Sequence, residues 1–186
     1  MGTFVGSSTS VVGGPMNGLS HFDEHGASRM VDVGAKPVTS RLARARSSIQ
    51  MRPETLRLIR DRKLSKGDVL EVARLAGIMA AKRTAEWIPL CHPLPLDAVS
   101  ISFEMPDERS VVIRSEVHVT ARTGVEMEAL VAVSAAALTI YDMCKAVDRE
   151  MTIAMIQLDE KAGGRSGHFI RPADPVASPS PPAAHD

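Results

Sequence analysis

Residues 129–144 are apolar or small almost throughout, and this stretch most limits what the chain can become. Its polar exceptions are Ser134, Thr139, Tyr141 and Asp142, with Lys145 directly after. Coiled as a helix it has no wet side, so it must be buried, in a core or between subunits. Thr123-Gly124-Val125-Glu126 reads as a capping box that starts this helix near residue 124 and carries it to about 146. The chain is 44% apolar and 24% charged, which are globular proportions. Aromatics are only 3%, so the core around the helix must be built from Ala, Val, Leu, Ile and Met.

The periodicity around that helix predicts a sheet. Residues 44–51 alternate weakly before Pro53 and read as a first strand. Pro53-Glu54 opens a short helix to about Asp61, since Pro is tolerated in a first turn and Glu suits the positive end of the dipole. Ser65-Lys66-Gly67-Asp68 resembles a cap before a run whose Val69, Val72, Ala73, Ala76, Met79 and Ala80 share one helical face. Val99, Ile101, Phe103 and Met105 alternate with polar neighbours, residues 106–109 turn, and Val111, Ile113, Ser115, Val117 and Val119 return as the second arm of a hairpin. Residues 151–158 form a last strand. Strand, two helices, hairpin, helix, strand is the order of an α+β fold, a ferredoxin-like split βαβ with an extra helix and an antiparallel sheet packed on helices. The second face of that sheet is then solvated or buried against another chain.

Residues 1–28 hold six of the 13 glycines and residues 172–186 five of the 12 prolines, so both are expected to be disordered tails around a folded unit of 29–171. All 22 Lys and Arg lie between Arg29 and Arg171 with only 18 of the 22 acids, which leaves the middle net +4 and the tails net −4. This excludes a strongly basic nucleic-acid coat and leaves room for a local anion site. No apolar run approaches the ~20 residues of a membrane span, and no signal-peptide pattern opens the chain. Cys91 and Cys144 make no disulfide framework, so a cytoplasmic protein with two reduced thiols is expected.

Several residues are candidates for chemistry. Asp142 and Lys145 are three apart and share a helical face, as a surface ion pair or as an acid/base pair with mutually tuned protonation. Glu126 suits the cap, whereas Glu128 points elsewhere. Glu128 and Asp142 are roughly 21 Å apart along the axis, at about 1.5 Å per residue. One small ligand cannot touch both ends of one helix; they act separately, or an oligomer brings different ends together. Pro89-Leu90-Cys91-His92-Pro93 is a rigid loop whose His92 is either hydrogen-bonded in a buried turn or a ligand contact. A metal site is not expected there, because no second ligand pair at zinc spacing exists. Lys161-Ala162-Gly163-Gly164-Arg165-Ser166-Gly167 is a Gly-rich basic loop, a plain turn or an anion nest. Lys66, Lys82, Arg83 and Arg122 add separated positive charges.

Together with Met30-Val31-Asp32-Val33, Lys66-Gly67-Asp68, Ala80-Ala81-Lys82-Arg83-Thr84, Ile88-Pro89-Leu90-Cys91-His92-Pro93-Leu94, Thr123-Gly124-Val125-Glu126-Met127-Glu128-Ala129-Leu130 and Leu138-Thr139-Ile140-Tyr141-Asp142-Met143-Cys144-Lys145-Ala146-Val147, these pieces closely resemble the MoaC family of molybdenum-cofactor biosynthesis, the cyclic pyranopterin monophosphate synthases. The resemblance spans about 19 to 171, nearly the whole folded part, and its two longest motifs are highly specific.

The resemblance implies a ferredoxin-like protomer in a homohexamer, a trimer of dimers, with the active site at the dimer interface. It implies a lyase acting on (8S)-3′,8-cyclo-7,8-dihydroguanosine 5′-triphosphate, supplied by a radical-SAM GTP cyclase, and releasing cyclic pyranopterin monophosphate and pyrophosphate. By motif, Asp142 and Lys145 are the catalytic pair with Lys66 assisting. Leu90, Cys91, His92, Met127 and Glu128 line the substrate site, with Glu126, Lys161 and Arg165 beside them. No resident cofactor or metal is implied, although Mg²⁺ can ride on the triphosphate. Arg122 and Arg165 stand where members of the family often carry Lys; Arg keeps the charge but is larger and forked. Two rival readings remain. A non-catalytic nucleotide-binding regulator would keep the basic loop without needing Asp142. An RNA-binding module would need stacking aromatics on the central strands, where only Phe103 stands. Neither nucleic acid nor membrane is an expected partner.

Overall fold

The computed structural model describes residues 25–65, 67–165 and 167–172. Most of both expected tails, and Lys66 itself, lie outside the described residues. The elements are β1 (Thr39–Gln50), α1 (Pro53–Arg60), α2 (Val69–Ala81), α3 (Thr84–Trp87), β2 (Ala98–Glu104), β3 (Ser110–Ala121), α4 (Glu126–Cys144), β4 (Thr152–Ala162) and β5 (Phe169–Ile170). All strand pairs are antiparallel, in the order β2-β3-β1-β4-β5. β3 lies between β1 and β2, so the crossover through α1, α2 and α3 is the split βαβ that the element order predicts.

β1 buries Ala43, Ala45, Ser47 and Ile49 against the helices and turns Arg44, Arg46, Ser48 and Gln50 outward. It begins five residues earlier than its alternation suggests, because Thr39 and Ser40 are held by pairing with Ala121 and Thr120. β4 is likewise longer than expected, and bulges shift its register against β1 twice. The short α3 and β5 have no periodic signal to announce them.

α2 starts where Asp68 caps it, accepting from the backbone N–H groups of Leu70 (3.1 Å) and Glu71 (3.3 Å). Its inner face differs from the expected one. Val69, Ala73, Gly77, Ala80 and Ala81 are buried, whereas Val72 and Met79 are 44% and 43% exposed. Backbone proximity sets this face: a Cβ on Gly77 would sit 2.8 Å from the Ala132 carbonyl oxygen and 2.3 Å from Ile101 Cδ1. Only a glycine lets α2 lie this close to α4.

α4 is buried along most of its length, with Ala129, Ala132, Val133, Ala136, Ala137 and Ile140 shut off from solvent. Ser115 on β3 pins its first turn by donating to the Ala129 carbonyl (2.8 Å). The expected capping box does not form. The helix begins at Glu126, its N-cap is Val125, and no side chain caps it. Glu126 instead folds over Gly124 and pairs with Lys161 on β4 (3.3 Å). α4 is long and apolar enough by length and composition alone to match a membrane span, but β1, β3, β4 and α2 pack around it as a core helix.

Candidate active site

The Ile88 to Pro93 loop and the first turn of α4 come together around one cavity of about 280 Å³. Leu90, Cys91, His92, Glu126, Met127 and Glu128 all line it, joined by Val31, Val33 and Lys36 from the segment before β1. The loop is closed by the Cys91 N–H donating to the Ile88 carbonyl (3.0 Å). Glu128 and His92 also line a second cavity, about 260 Å³, with Lys82, Arg83 and Thr84.

Glu128 is 4% exposed. Burial pushes its carboxyl up to about 7; its own backbone N–H opposes this and the charge of Glu126 adds to it. Near neutral pH it therefore both holds and releases a proton, which suits an acid/base role. Burial, and then the charge of Glu128, push the Cys91 thiol up, so Cys91 is a neutral wall rather than a nucleophile.

A basic cavity of about 430 Å³ adjoins the first and shares Lys36, Thr123, Gly124 and Glu126 with it. Lys36, Arg41, Arg122 and Arg165 supply its cations. Arg41 is fixed by donating to the carbonyls of Ala121 (3.0 Å) and Arg122 (3.1 Å). The Gly-rich loop crosses over it: a Cβ on Gly164 would meet Arg41 Nη1 at 2.1 Å, and both Gly163 and Gly164 have positive φ. These glycines let Arg165 reach the cavity rim. Lys161, expected at the ligand, is engaged with Glu126 at its edge. The sequence reading missed Lys36 and Arg41, and named Arg122 as a separated charge that, like Arg165, stands where the family often carries Lys. They come from separate segments, and no spacing rule joins them to Arg165.

Asp142 and Lys145 occupy the far end of α4. Lys145 Nζ donates to Asp142 Oδ1 at 2.6 Å. That hydrogen bond, and the charge of Asp142, raise the Lys145 ammonium above its usual range. Asp142 lines a groove of about 460 Å³ formed by Met79, Trp87 and Leu138, with Arg83 at its rim. Within one chain this pair does not meet the two cavities. Among the described residues no group of three His, Cys, Asp or Glu is placed to hold a metal. A depression on the open sheet face is also rich in arginine, but Arg44, Arg46 and Arg114 are matched there by Glu116, Asp159 and Glu104. It is a neutral ion-pair network.

Comparison with known proteins identifies the family. Residues 30–164 match the MoaC family. A cyclic pyranopterin monophosphate synthase of Magnetococcus marinus is 62% identical over 160 residues, 85% of this chain and 98% of the relative. Those of Desulfitobacterium hafniense (58% over 153 residues, 82% and 94%) and Thermomicrobium roseum (60% over 157 residues, 84% and 95%) are similarly close. A match over most of the folded part, carrying both the Cys91-His92 loop and the Asp142-Lys145 helix end, makes this chain a member of the MoaC family.

Proposed function

We propose that this enzyme converts (8S)-3′,8-cyclo-7,8-dihydroguanosine 5′-triphosphate into cyclic pyranopterin monophosphate and pyrophosphate, a step of molybdenum-cofactor biosynthesis. One observation carries the proposal: a cavity with a buried carboxylate lies beside a basic one and shares lining residues with it, as a purine-derived ring bearing a triphosphate requires. Glu128 is suited to N–H groups on the ring edge, with His92 and Met127 beside it. Lys36, Arg41, Arg122 and Arg165 offset the phosphate charge. The forked guanidinium groups suit phosphate oxygens and stabilise charge.

The reaction opens one ring, closes another and forms a cyclic phosphate. In the last change a ribose-derived hydroxyl bonds to the α-phosphorus, the bond to the β-phosphate oxygen breaks, and pyrophosphate leaves. Each step moves protons, and a carboxylate beside an ammonium serves both directions. Asp142 and Lys145 are that pair, with Lys66 assisting. The separation of roughly 21 Å along α4 is bridged if a second copy presents its Asp142 end to the Glu128 end of the first. The exposed apolar groove next to Asp142 is a surface such a copy would cover, and a homohexamer built as a trimer of dimers is the assembly proposed. A radical-SAM GTP cyclase supplies the substrate. No resident cofactor is invoked, and Mg²⁺ would arrive on the triphosphate. A cytoplasmic location goes with a GTP-derived substrate. The outward positions of β1, β2 and β3 favour this over RNA binding, because they carry paired charges and serines but no Phe, Tyr or Trp, and their one imidazole, His118, is paired with Glu116.

The test is incubation of the purified protein with the cyclised nucleotide and assay of both products. Stoichiometric pyrophosphate and pterin are expected. Tight binding without turnover would favour the nucleotide-binding regulator instead.

A further inference from the structure

Three residues past Lys145 the chain reverses at Asp148, a carboxylate only 1% exposed. Its Oδ2 accepts from the Arg52 backbone N–H (2.9 Å) and the Thr55 hydroxyl (3.0 Å). Its Oδ1 accepts from the Glu150 N–H (3.2 Å), with Arg52 Nε at 3.4 Å. The Arg52 guanidinium also donates to the Val147 carbonyl. Arg52 is the N-cap of α1 and caps nothing with its own side chain, so this helix takes its cap from a residue 96 positions away.

The C-terminal end of α4 needs support of this kind. Its last turn has no basic side chain before Lys145, and Asp142 stands near the negative pole of the helix. Beyond it the N–H groups of Val147 (2.9 Å) and Asp148 (3.0 Å) both donate to the Cys144 carbonyl, closing a tight turn. The Tyr141 hydroxyl donates to the Arg149 carbonyl (3.2 Å) across the same turn. Asp148 ties this turn to the start of α1. The other end of α1 leads into the connection that contains Lys66, where Arg62 pairs with Asp68 (3.2 Å).

Resting on the functional reading above, we propose that Asp148 is a positioning residue. By clamping the start of α1 to the turn that ends α4, it fixes the Asp142–Lys145 pair relative to α1. Burial pushes the Asp148 carboxyl up, but its three hydrogen-bond donors and the Arg52 charge outweigh burial and hold it below the usual range. It stays ionised, and its partners stay fixed, at neutral pH.

The experiment compares Asp148→Asn and Thr55→Val with Val133→Ala, a change in the buried middle of the same helix and away from every site residue. Steady-state pyrophosphate release, thermal midpoint and amide hydrogen exchange are measured for each. Asp148→Asn keeps the shape but turns an N–H toward donors. Its kcat is expected to fall about 10- to 100-fold with KM within about twofold, as misplaced catalytic groups produce. Amides of 145–148 should exchange faster while those of 131–137 do not. Thr55→Val should shift kcat and exchange the same way by less, and it carries the test alone if Asp148→Asn does not fold. Val133→Ala should lose midpoint and keep kcat. A loss of kcat no larger than that of Val133→Ala at equal midpoint, or unchanged exchange over 145–148, overturns the clamp. A wild-type protein that releases no pyrophosphate overturns the functional reading instead, and the exchange comparison still decides the clamp.

Discussion

Lys145 and Asp142 face each other across one turn of α4, Nζ 2.6 Å from Oδ1, with both side chains more than half exposed. A carboxylate so near the negative end of a helix is disfavoured unless a cation answers it, and Lys145 is that cation. Asp142 therefore sets the protonation of Lys145. Replacing Asp142 by Asn removes the hydrogen bond and charge that raise the Lys145 ammonium, so the Lys145 pKa falls. We expect kcat to drop by about 10²- to 10⁴-fold and the remaining activity to lose its alkaline limb at lower pH. Substrate affinity, measured by calorimetry, should hold. Unchanged turnover in Asp142→Asn would strip the pair of its catalytic role.

The length of α4 gives a second prediction. If Glu128 of one copy works with Asp142 of another, a Glu128→Gln oligomer and an Asp142→Asn oligomer are each inactive. A mixed pair has one doubly altered site and one intact site. Denaturing the two together and refolding them should therefore restore activity that neither has alone. Failure to recover turnover from well-folded mixtures would place all of the machinery within a single chain.

What was legible in the sequence was mostly local. The burial of α4, the hairpin of β2 and β3, and the Asp68 cap follow from composition, alternation and a short-range hydrogen bond. Leu90, Cys91, His92 and Glu128 converge as expected because two rigid motifs carry them. The rest depended on distant partners. Thr123-Gly124-Val125-Glu126 has the letters of a capping box, yet Lys161, on a strand 35 residues later, takes the glutamate. The inner face of α2 was drawn from side-chain size, while Gly77 sets it by having none. The cluster of Lys36, Arg41, Arg122 and Arg165 exists only once β1 lies beside β3 and β4.

Glu128 makes folding stability depend on pH with a definite sign. Burial raises its carboxyl from 4.5 to about 7, so between those values the folded chain keeps a proton that the unfolded chain has released. The stability of the neutral buried carboxyl is fully present below 4.5 and is lost as pH rises toward about 7. Glu128→Gln has no proton to lose. Its thermal midpoint should gain on that of wild type across this window and run parallel to it above. Parallel curves from acid to neutral pH would mean that burial does not raise the Glu128 carboxyl above its ordinary value of 4.5.

The apolar face beside Asp142 is the last point of test. Val72, Leu75 and Met79 lie along the outer side of α2, with Trp87 and Leu138 next to them, and Leu75, Trp87 and Leu138 are 62%, 51% and 53% exposed. Covering the exposed half of one such leucine is worth about half of the 1.5–3 kcal/mol of full burial, and a patch of this kind marks a contact surface. The same face borders the groove that holds Asp142. A copy seated there would bury the leucines and bring a second chain to Asp142 and Lys145 at once. Leu138→Glu puts a charge at the centre of that contact while changing nothing in the core. Light scattering should then find the 19.9 kDa chain alone where wild type is several times heavier. Circular dichroism should be unchanged, and pyrophosphate release should fall with the assembly. A variant that stays assembled and active would show that this face is not where the copies meet.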